Sequence, residues 1–304
     1  MVKAFTFTNY LDKSVKVTLK EAEPDHGLLI RSIDGLGPVH AQLNSTELVT
    51  IDGSKFNSAR RLKRNIVINF IFVGADIEAV RYRTYEYFPE KKYITVLAET
   101  DTRSAIAYGY VEYNDPTIFS KAEGCQVSII CDDPNFYAMD GNQLQKTDFF
   151  SITPLFEFPF SNESLTEKLI EFGSIELYKE KVITYYGDVE VGILIRVHFL
   201  GPAGDMTIYN LDTRETMKLK LSAIQTLTGM DISAGDDIII STVRNEPYVH
   251  LIRGGVMINV LNILDKHSTW FELRYGDNLF AFVADSGENN IQLMIENRTV
   301  YRGV

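Results

Sequence analysis

The fold is decided by the stretch Val189-Glu190-Val191-Gly192-Ile193-Leu194-Ile195-Arg196-Val197-His198-Phe199, which alternates between apolar and other residues. Every odd-numbered position in this stretch is large and apolar. Successive side chains of a β-strand point to opposite faces, so the pattern predicts a strand with one face in a core. We expect Val191, Ile193, Ile195 and Val197 to face that core.

Further short strands with regular turn signals follow this stretch. Gly201-Pro202-Ala203-Gly204, Gly254-Gly255 and Gly276-Asp277-Asn278 mark three of the turns. The strand candidates are Met206–Tyr209, Met217–Leu221, Ile238–Ile240, Val249–Ile252, Trp270–Leu273, Phe280–Phe282 and Ile291–Ile295. A series of this kind predicts an antiparallel β-sandwich over residues 182–304.

An aromatic, proline-punctuated bridge precedes the sandwich, running from Phe149 to Phe160. In the following segment, 165–178, the early apolar residues fit a helix and the later ones fit a strand, so both interpretations stay open. The composition of this region differs from its flanks, which indicates a boundary between domains. We therefore predict an N-terminal domain at 1–138, a linker or arm at 139–181 and a C-terminal domain at 182–304.

The N-terminal block contains a strand candidate at Leu28–Ile33 and a longer one at Asn65–Val73. The longer one is apolar on both faces, as expected of a central buried strand. Just before it lies the basic run Ala59-Arg60-Arg61-Leu62-Lys63-Arg64. This run could form a patch for an anionic ligand, a solvated start to the strand, or a surface of ion pairs between subunits. We favour the last two interpretations.

One helix is predicted after Asp76, a residue type that caps helix N-termini well. Apolar residues recur at helical spacing from Ile77 to Phe88, and Pro89 ends the pattern. The opposite helix face carries Arg81 and Arg83 and is expected to point to water or to a neighbour. Strands are predicted to resume at Tyr93–Leu97, Ala105–Tyr113 and Val127–Cys131, with Gly109 marking a bulge or a close approach.

Composition limits the classes of function. The chain has 304 residues, of which 45% are hydrophobic, and this suffices for two packed domains. Its formal net charge of −11 argues against a general nucleic-acid-binding surface, which needs clustered Lys and Arg. No run approaches the roughly 20 apolar residues that span a bilayer, and the first residues do not form a secretory signal. We therefore expect no membrane insertion, and synthesis in a cytoplasm.

Cys125 and Cys131 are the only cysteines. Both are predicted to lie on one face of a strand, where a separation of six residues corresponds to about 20 Å. A disulfide requires Cα atoms within roughly 7 Å, so we expect two free thiols. Buried, unreactive thiols are the favoured interpretation over a reactive one.

Residues typical of catalysis or of metal binding do not form a recognisable set. The five histidines never fall at metal-ligand spacing, and no nucleophile elbow, phosphate-binding Gly loop or Cys-x-x-Cys is present. Asp132-Asp133 is interpreted as a turn that ends a strand rather than as a cation site. We expect no enzyme activity, no catalytic residue, no cofactor and no metal. A wall hydrolase would instead need a paired acid and nucleophile in one concave site.

A series of local motifs runs in a fixed order along nearly the whole chain. They are Ile33–Pro38, Asp52-Gly53, the basic run to Arg64, the helix after Gly74-Ala75-Asp76, Tyr108–Glu112, Ile129–Phe136, Phe156–Phe160, Tyr186–Gly192, Ile208–Asn210, Thr213–Glu215 and Ser268–Asn278. In order and spacing this series resembles the siphovirus distal tail protein (Dit) family. Each motif alone is weak, and the resemblance depends on the series.

The resemblance implies a mainly-β fold class. It pairs an N-terminal, tail-tube-like β-sandwich domain containing one helix with a C-terminal galectin-like antiparallel β-sandwich. It also implies a structural virion protein at the distal end of a phage tail, assembled in the host cytoplasm. Its members form a homo-oligomer, a hexameric ring, that joins the tail tube protein to the tail-associated tip protein. A receptor-binding protein can attach on the outside.

Such a ring lets DNA pass through its channel without specific binding. An acidic lining would repel the phosphates, and the net charge of −11 permits one. The candidate subunit-interface residues are Arg60, Arg61, Lys63, Arg64, Arg81 and Arg83. The alternative function is a carbohydrate-binding module that recognises a host cell-wall polysaccharide, with Trp270 as the single indole available for stacking.

Overall fold

The structure is a computed structural model that describes residues 1–19, 24–47, 52–118, 123–139, 144–154 and 173–304. The chain divides into two compact units. The first comprises Met1–Gln143 together with Val300–Val304, and the second comprises Leu144–Thr299. The mainly-β fold class is confirmed, whereas the predicted domain boundaries at 138/139 and 181/182 stay predictions. Neither helix in the described ranges is long and apolar enough to cross a membrane.

The first unit contains eleven strands and one helix within its described residues. The helix α1 spans Ile77–Tyr87. The strands are β1 (Val2–Asn9), β2 (Ser14–Thr18), β3 (Leu28–Asp34), β4 (Ala41–Glu47), β5 (Ser54–Arg61), β6 (Arg64–Phe72), β7 (Tyr93–Thr100), β8 (Ser104–Thr117), β9 (Gly124–Cys131), β10 (Phe136–Ala138) and, from the end of the chain, β25 (Val300–Tyr301). Nine of these strands belong to one antiparallel sheet with the path β2-β1-β7-β8-β9-β6-β3, from which β10 and β25 branch.

The core of the first unit lies on one face of this sheet, where α1 packs. Asp76 caps the helix as predicted, because its Oδ1 accepts a hydrogen bond from the backbone N–H of Ala79 at 3.0 Å. Val80 and Phe88 are buried, and the Phe88 ring lies 5.4 Å from that of Phe70. The burial of this apolar stripe, rather than helix propensity, is what holds a helix of 11 residues in place.

Strand β6 differs from the prediction that both of its faces are buried. Ile66, Ile68 and Phe70 are buried, whereas Val67 and Ile71 on the other face are only half-buried. The strand is central, between β3 and β9, but only one face of the sheet meets the core. Gly109 marks a close approach, as predicted, since a Cβ there would lie 2.7 Å from the carbonyl oxygen of Ile130.

Both thiols of β9 are free and buried, as predicted. Burial raises the pKa of Cys125 to about 12 and that of Cys131 to about 11. We expect neither to react with a thiol reagent at pH 8 until the first unit unfolds, when two thiols per chain should react. Reaction of the folded protein at the rate of a free thiol would contradict this placement.

The same pKa shifts predict loss of stability in alkali. Because the pKa of each thiol is higher in the folded state than in the unfolded state, the two thiols contribute their full stabilisation below the ordinary thiol pKa near 9. This contribution is lost as the pH rises toward the pKa values of the folded state. The free energy of unfolding should therefore fall above pH 9. A Cys125→Ala variant should show a shallower fall than the parent in denaturant titrations at several pH values.

The second unit contains fourteen strands and a short helix, α2 (Ile224–Thr228), within its described residues. The strands are β11 (Gln145–Asp148), β12 (Phe150–Pro154), β13 (Gly173–Leu177), β14 (Glu180–Tyr185), β15 (Val191–Gly192), β16 (Leu194–Phe199), β17 (Met206–Asn210), β18 (Glu215–Leu219), β19 (Asp237–Ser241), β20 (Tyr248–Arg253), β21 (Val256–Asn259), β22 (Glu272–Leu273), β23 (Gly276–Ala284) and β24 (Ile291–Asn297).

A two-sheet sandwich forms the body of the second unit, as predicted. The larger sheet has the order β11-β24-β16-β19-β20-β21 and the smaller one β14-β23-β17-β18, with antiparallel pairing throughout. Side chains from both sheets, such as Ile195 and Phe282, belong to one buried cluster. Two further pairs, β12-β13 and β15-β22, lie outside these sheets.

The predicted continuous strand at Val189–Phe199 is divided in two. Strand β15 pairs with β22, whereas β16 joins the larger sheet. The division falls at Gly192, where a Cβ would lie 2.3 Å from the carbonyl oxygen of Thr242. The face prediction is confirmed from Ile193 onward, because Ile193, Ile195 and Val197 are fully buried; Val191 is half-buried against the same cluster.

Much of the aromatic bridge and of the ambiguous segment after it lies outside the described residues, which omit 155–172. At the start of the bridge, Phe149 is fully buried and contacts Phe282 edge-on, with ring centroids 6.2 Å apart. At the end of the ambiguous segment, Gly173–Leu177 forms a strand that pairs with β12. The strand interpretation therefore holds for the part that the structure describes.

Candidate functional site

Strands β4 and β5 form a separate two-stranded sheet, here called the basic hairpin. Every residue of both strands is exposed. Polar side chains link the strands: Arg60 donates to Gln42 Oε1 at 3.0 and 2.9 Å, and Asn57 donates to Thr46 Oγ1 at 2.6 Å. At its base Arg61 also donates to Asn135 Oδ1 at 2.7 Å, so hydrogen bonds rather than packing on a core hold the hairpin.

The hairpin combines apolar and basic groups. Leu43 and Phe56 are 67% and 62% exposed. Between positions 41 and 63 the sequence carries four basic residues against two acidic ones, which makes this segment basic in a chain whose net charge is −11. The basic residues are Lys55, Arg60, Arg61 and Lys63. Exposed apolar side chains beside concentrated charge are typical of a contact surface.

Arg64 has a different role from its neighbours in the basic run. It is fully buried, and its guanidinium donates to the carbonyl oxygens of Gly35, Gly37, Pro134 and Arg302. Four of these bonds measure between 2.6 and 2.9 Å, and the Arg64 Cζ lies 4.4 Å from the centre of the Phe136 ring. Its inclusion among the surface residues of a subunit interface is therefore corrected, because the side chain fastens separate segments of the first unit together.

The other predicted interface residues fall into two groups. Arg60, Arg61 and Lys63 belong to the basic hairpin or follow it directly, and all three are exposed. Arg81 and Arg83 lie on α1 instead. The Arg81 side chain is only 14% exposed and lies 3.5 Å from Glu78 and 3.9 Å from Glu123. Their role at an interface is untested and stays a prediction.

A cluster of tyrosines, here called the tyrosine row, covers part of the other face of the main sheet. It consists of Tyr93, Tyr108, Tyr110 and Tyr137. Neighbouring ring centroids lie 6.4 Å apart for Tyr93 and Tyr108, and 5.8 Å apart for Tyr93 and Tyr110 as well as for Tyr108 and Tyr137. The row points away from the core, because the alternate residues of β8 face inward and are buried.

Acidic side chains flank the tyrosine row. Glu112 and Asp115 are exposed on the same face, and the Glu112 carboxylate accepts a hydrogen bond from Ser128 at 2.8 Å. Tyr110 and Tyr93 are 52% and 39% exposed. The first unit thus presents a basic, extended element and an acidic, aromatic face, each exposed.

Neither surface has a direct signal in the sequence. The basic hairpin has neither the apolar alternation nor the helical periodicity that identifies an element. Tyr108 and Tyr110 were recognised as part of a strand, but their clustering with Tyr137 depends on pairing between β8 and β10. A pair formed from distant segments is not visible in local sequence.

The remaining candidates do not form a chemical site. Within the described residues, no group of three or more His, Cys, Asp or Glu side chains is arranged to hold a metal ion. The Asp133 carboxylate accepts hydrogen bonds from the Asn135 backbone and side chain and from Tyr137, in keeping with the turn interpretation. Trp270 is half-buried and packs against the core of the second unit.

Sequence comparisons find no counterpart: no family model matches the chain, and no curated protein matches it. Among solved structures, the chain is similar to the SPP1 Dit (gp 19.1) protein, described as a paradigm of the hub adsorption apparatus in phages that infect Gram-positive bacteria. The match has a TM-score of 0.61 at 12% identity and covers 98% of this chain and 99% of the other. A likeness of this extent shows that the two chains share a fold.

Two further similar chains come from the phage P2 baseplate in its activated conformation, with Ca and with Sr. Their TM-scores are 0.43 and 0.42, each at 12% identity and with 98% of both chains covered. At these scores the two likenesses do not establish a shared fold.

Proposed function

We propose that this protein is a structural subunit of the distal end of a phage tail, where it forms a hub ring. The observation that carries the proposal is the shared fold with the SPP1 Dit protein over nearly the full length of both chains. The order of local motifs along the sequence supports the same assignment. The protein would reside in the virion and act by assembly rather than by catalysis.

In this function, six copies close a ring around a channel that continues the tail tube. One side of the ring binds the tail tube protein and the other binds the tail-associated tip protein, and a receptor-binding protein can attach outside. DNA crosses the channel without specific binding. The exposed surfaces of the first unit support this function, because a basic hairpin and an acidic aromatic face are suited to contacts between proteins.

We expect the purified protein to assemble at micromolar concentration. Light scattering should give a mass about six times the 34.5 kDa of one chain, and electron micrographs should show a ring with a central hole. A Lys13→Glu variant, altered at an exposed lysine away from both exposed surfaces, serves as a control that should still assemble. A strict monomer under all conditions, including in the presence of its tail partners, would contradict the proposal.

Carbohydrate binding is the alternative function, and the structure lends it less support. Saccharide sites usually present an aromatic ring as an open platform, whereas Trp270 packs against the core cluster of the second unit. The larger sheet does carry a stacked pair, Tyr248 and His250, with ring centroids 4.5 Å apart. A polysaccharide that bound there would leave assembly of the ring unaffected, so the two functions can be tested separately.

A further inference from the structure

The basic hairpin is an element that needs a covering surface. An isolated two-stranded hairpin is at best marginally stable in water, and this one exposes every residue of both strands. Leu43 and Phe56 place large apolar side chains on it, 67% and 62% exposed. Apart from the hydrogen bond that Arg61 at its base donates to Asn135 Oδ1 at 2.7 Å, the hairpin extends away from its own unit and is exposed along its described length.

The tyrosine row has the properties of the surface that such an element would cover. Tyrosines are enriched where protein interfaces are strongest, because they bury a large ring and keep a hydrogen-bonding hydroxyl. In the row, each ring is held against another at 5.8 or 6.4 Å, so little side-chain freedom remains to be lost on binding. Tyr110 nevertheless remains 52% exposed.

The charges of the two surfaces are complementary. The hairpin presents Lys55 and Arg60, and the face around the row presents Glu112 and Asp115. A guanidinium can stack on a tyrosine ring while pairing with a neighbouring carboxylate, and this combination favours Arg at such contacts. Both surfaces are on the first unit, so each copy of the chain carries both the hairpin and the face that it would cover.

We propose that the basic hairpin of one copy lies across the tyrosine row of a second copy of this chain. The inference rests on the proposed ring and specifies the contact that closes it. Because the hairpin and the row are different surfaces, the contact is heterologous. Such a contact closes into a ring when a whole number of equal rotations between neighbours adds up to one full turn. Arg60 stacks on the row and pairs with Glu112, and Phe56 supplies the apolar anchor.

Cysteine cross-linking tests the contact directly. One variant carries Ser58→Cys in the hairpin, and another carries Thr95→Cys, which lies opposite Tyr108 on the face of the row. The native thiols are buried and do not compete. When the two single variants are mixed and treated with a short bifunctional maleimide, covalent dimers should form, and these can only be intermolecular. Ser58→Cys mixed with Tyr85→Cys is the control, because Tyr85 lies on α1 on the opposite side of the sheet.

Charge reversal provides the second measurement. Arg60→Glu should raise the concentration needed for half-assembly by about tenfold or more, as expected when one partner of an interfacial charge pair is reversed. Combining it with Glu112→Lys should restore assembly toward that of the parent. Lys13→Glu, an exposed lysine outside both surfaces, should assemble normally.

The outcomes separate this inference from the proposed function. If the parent assembles but the mixed variants give no dimer and Arg60→Glu assembles normally, the hairpin contact is wrong and the ring stands. If Arg60→Glu assembles normally but loses retention of duplex DNA, the hairpin contacts DNA and the inference is also wrong. If the parent stays monomeric even with its tail partners, the proposed function itself fails.

Discussion

Replacing Arg64 with methionine is expected to lower the free energy of unfolding of the first unit by about 3–5 kcal/mol. The guanidinium donates to four carbonyl groups, and a polar group left unsatisfied in the interior costs about 1–3 kcal/mol. Methionine keeps much of the aliphatic volume beside Phe136 but supplies no donor. Arg64→Lys should be intermediate, because one ammonium group cannot reach every carbonyl that the planar guanidinium spans.

The two units allow an internal control for this experiment. Trp270 is the only tryptophan and belongs to the second unit, so its fluorescence reports the unfolding of that unit. Hydrogen exchange of β9 reports the first unit. Arg64→Met should speed hydrogen exchange in β9 and leave the midpoint of the fluorescence transition unchanged. Arg60→Met, on the exposed hairpin, should change the free energy of unfolding of either unit by no more than about 0.5 kcal/mol. Unchanged exchange in Arg64→Met would show that the carbonyl bonds are not what holds the unit.

Replacing Ile195 with alanine is expected to destabilise the second unit by about 2–5 kcal/mol, the usual range for a buried aliphatic side chain. Ile195 is fully buried in the cluster shared by the two sheets. The midpoint of the Trp270 fluorescence transition should fall accordingly. Assembly should survive the change at temperatures below the new transition, because the proposed contact lies in the first unit.

Arg196→Ala is the matched control on the next residue. Arg196 lies on the opposite face of β16, and its Nε is buried without a hydrogen-bond partner among the described residues. Because no hydrogen bond of this Nε is lost, truncating the half-buried side chain should cost little, within about 0.5 kcal/mol. If Arg196→Ala unfolds the unit while Ile195→Ala does not, the assignment of the two faces is inverted.

Sequence periodicity was informative wherever one face of an element meets a core. The alternation from Ile193 to Phe199 and the spacing of α1 after Asp76 were both confirmed, because burial imposes those patterns directly. The division of the strand at Gly192 was not predicted. It depends on the approach of Thr242, a residue some fifty positions away in the chain.

The features missed from the sequence break the usual rule that charged side chains are exposed and that the apolar side of an element is buried. A run of four basic residues normally lies in water, so nothing in it distinguished Arg64 from Arg60. Its burial is possible only because backbone carbonyls from distant segments surround it. The basic hairpin was missed for the opposite reason, since an element without a buried face leaves no apolar pattern.

The return of Val300–Val304 to the first unit has a consequence for how the protein is made. Strand β25 pairs with β10, and the carbonyl of Arg302 is one of the acceptors of Arg64. A nascent chain therefore cannot complete its N-terminal unit until residues 300–304 have left the ribosome. Products of premature termination would lack this final strand and keep Arg64 without one of its acceptors, so translation to residue 302 is itself a condition for a finished first unit.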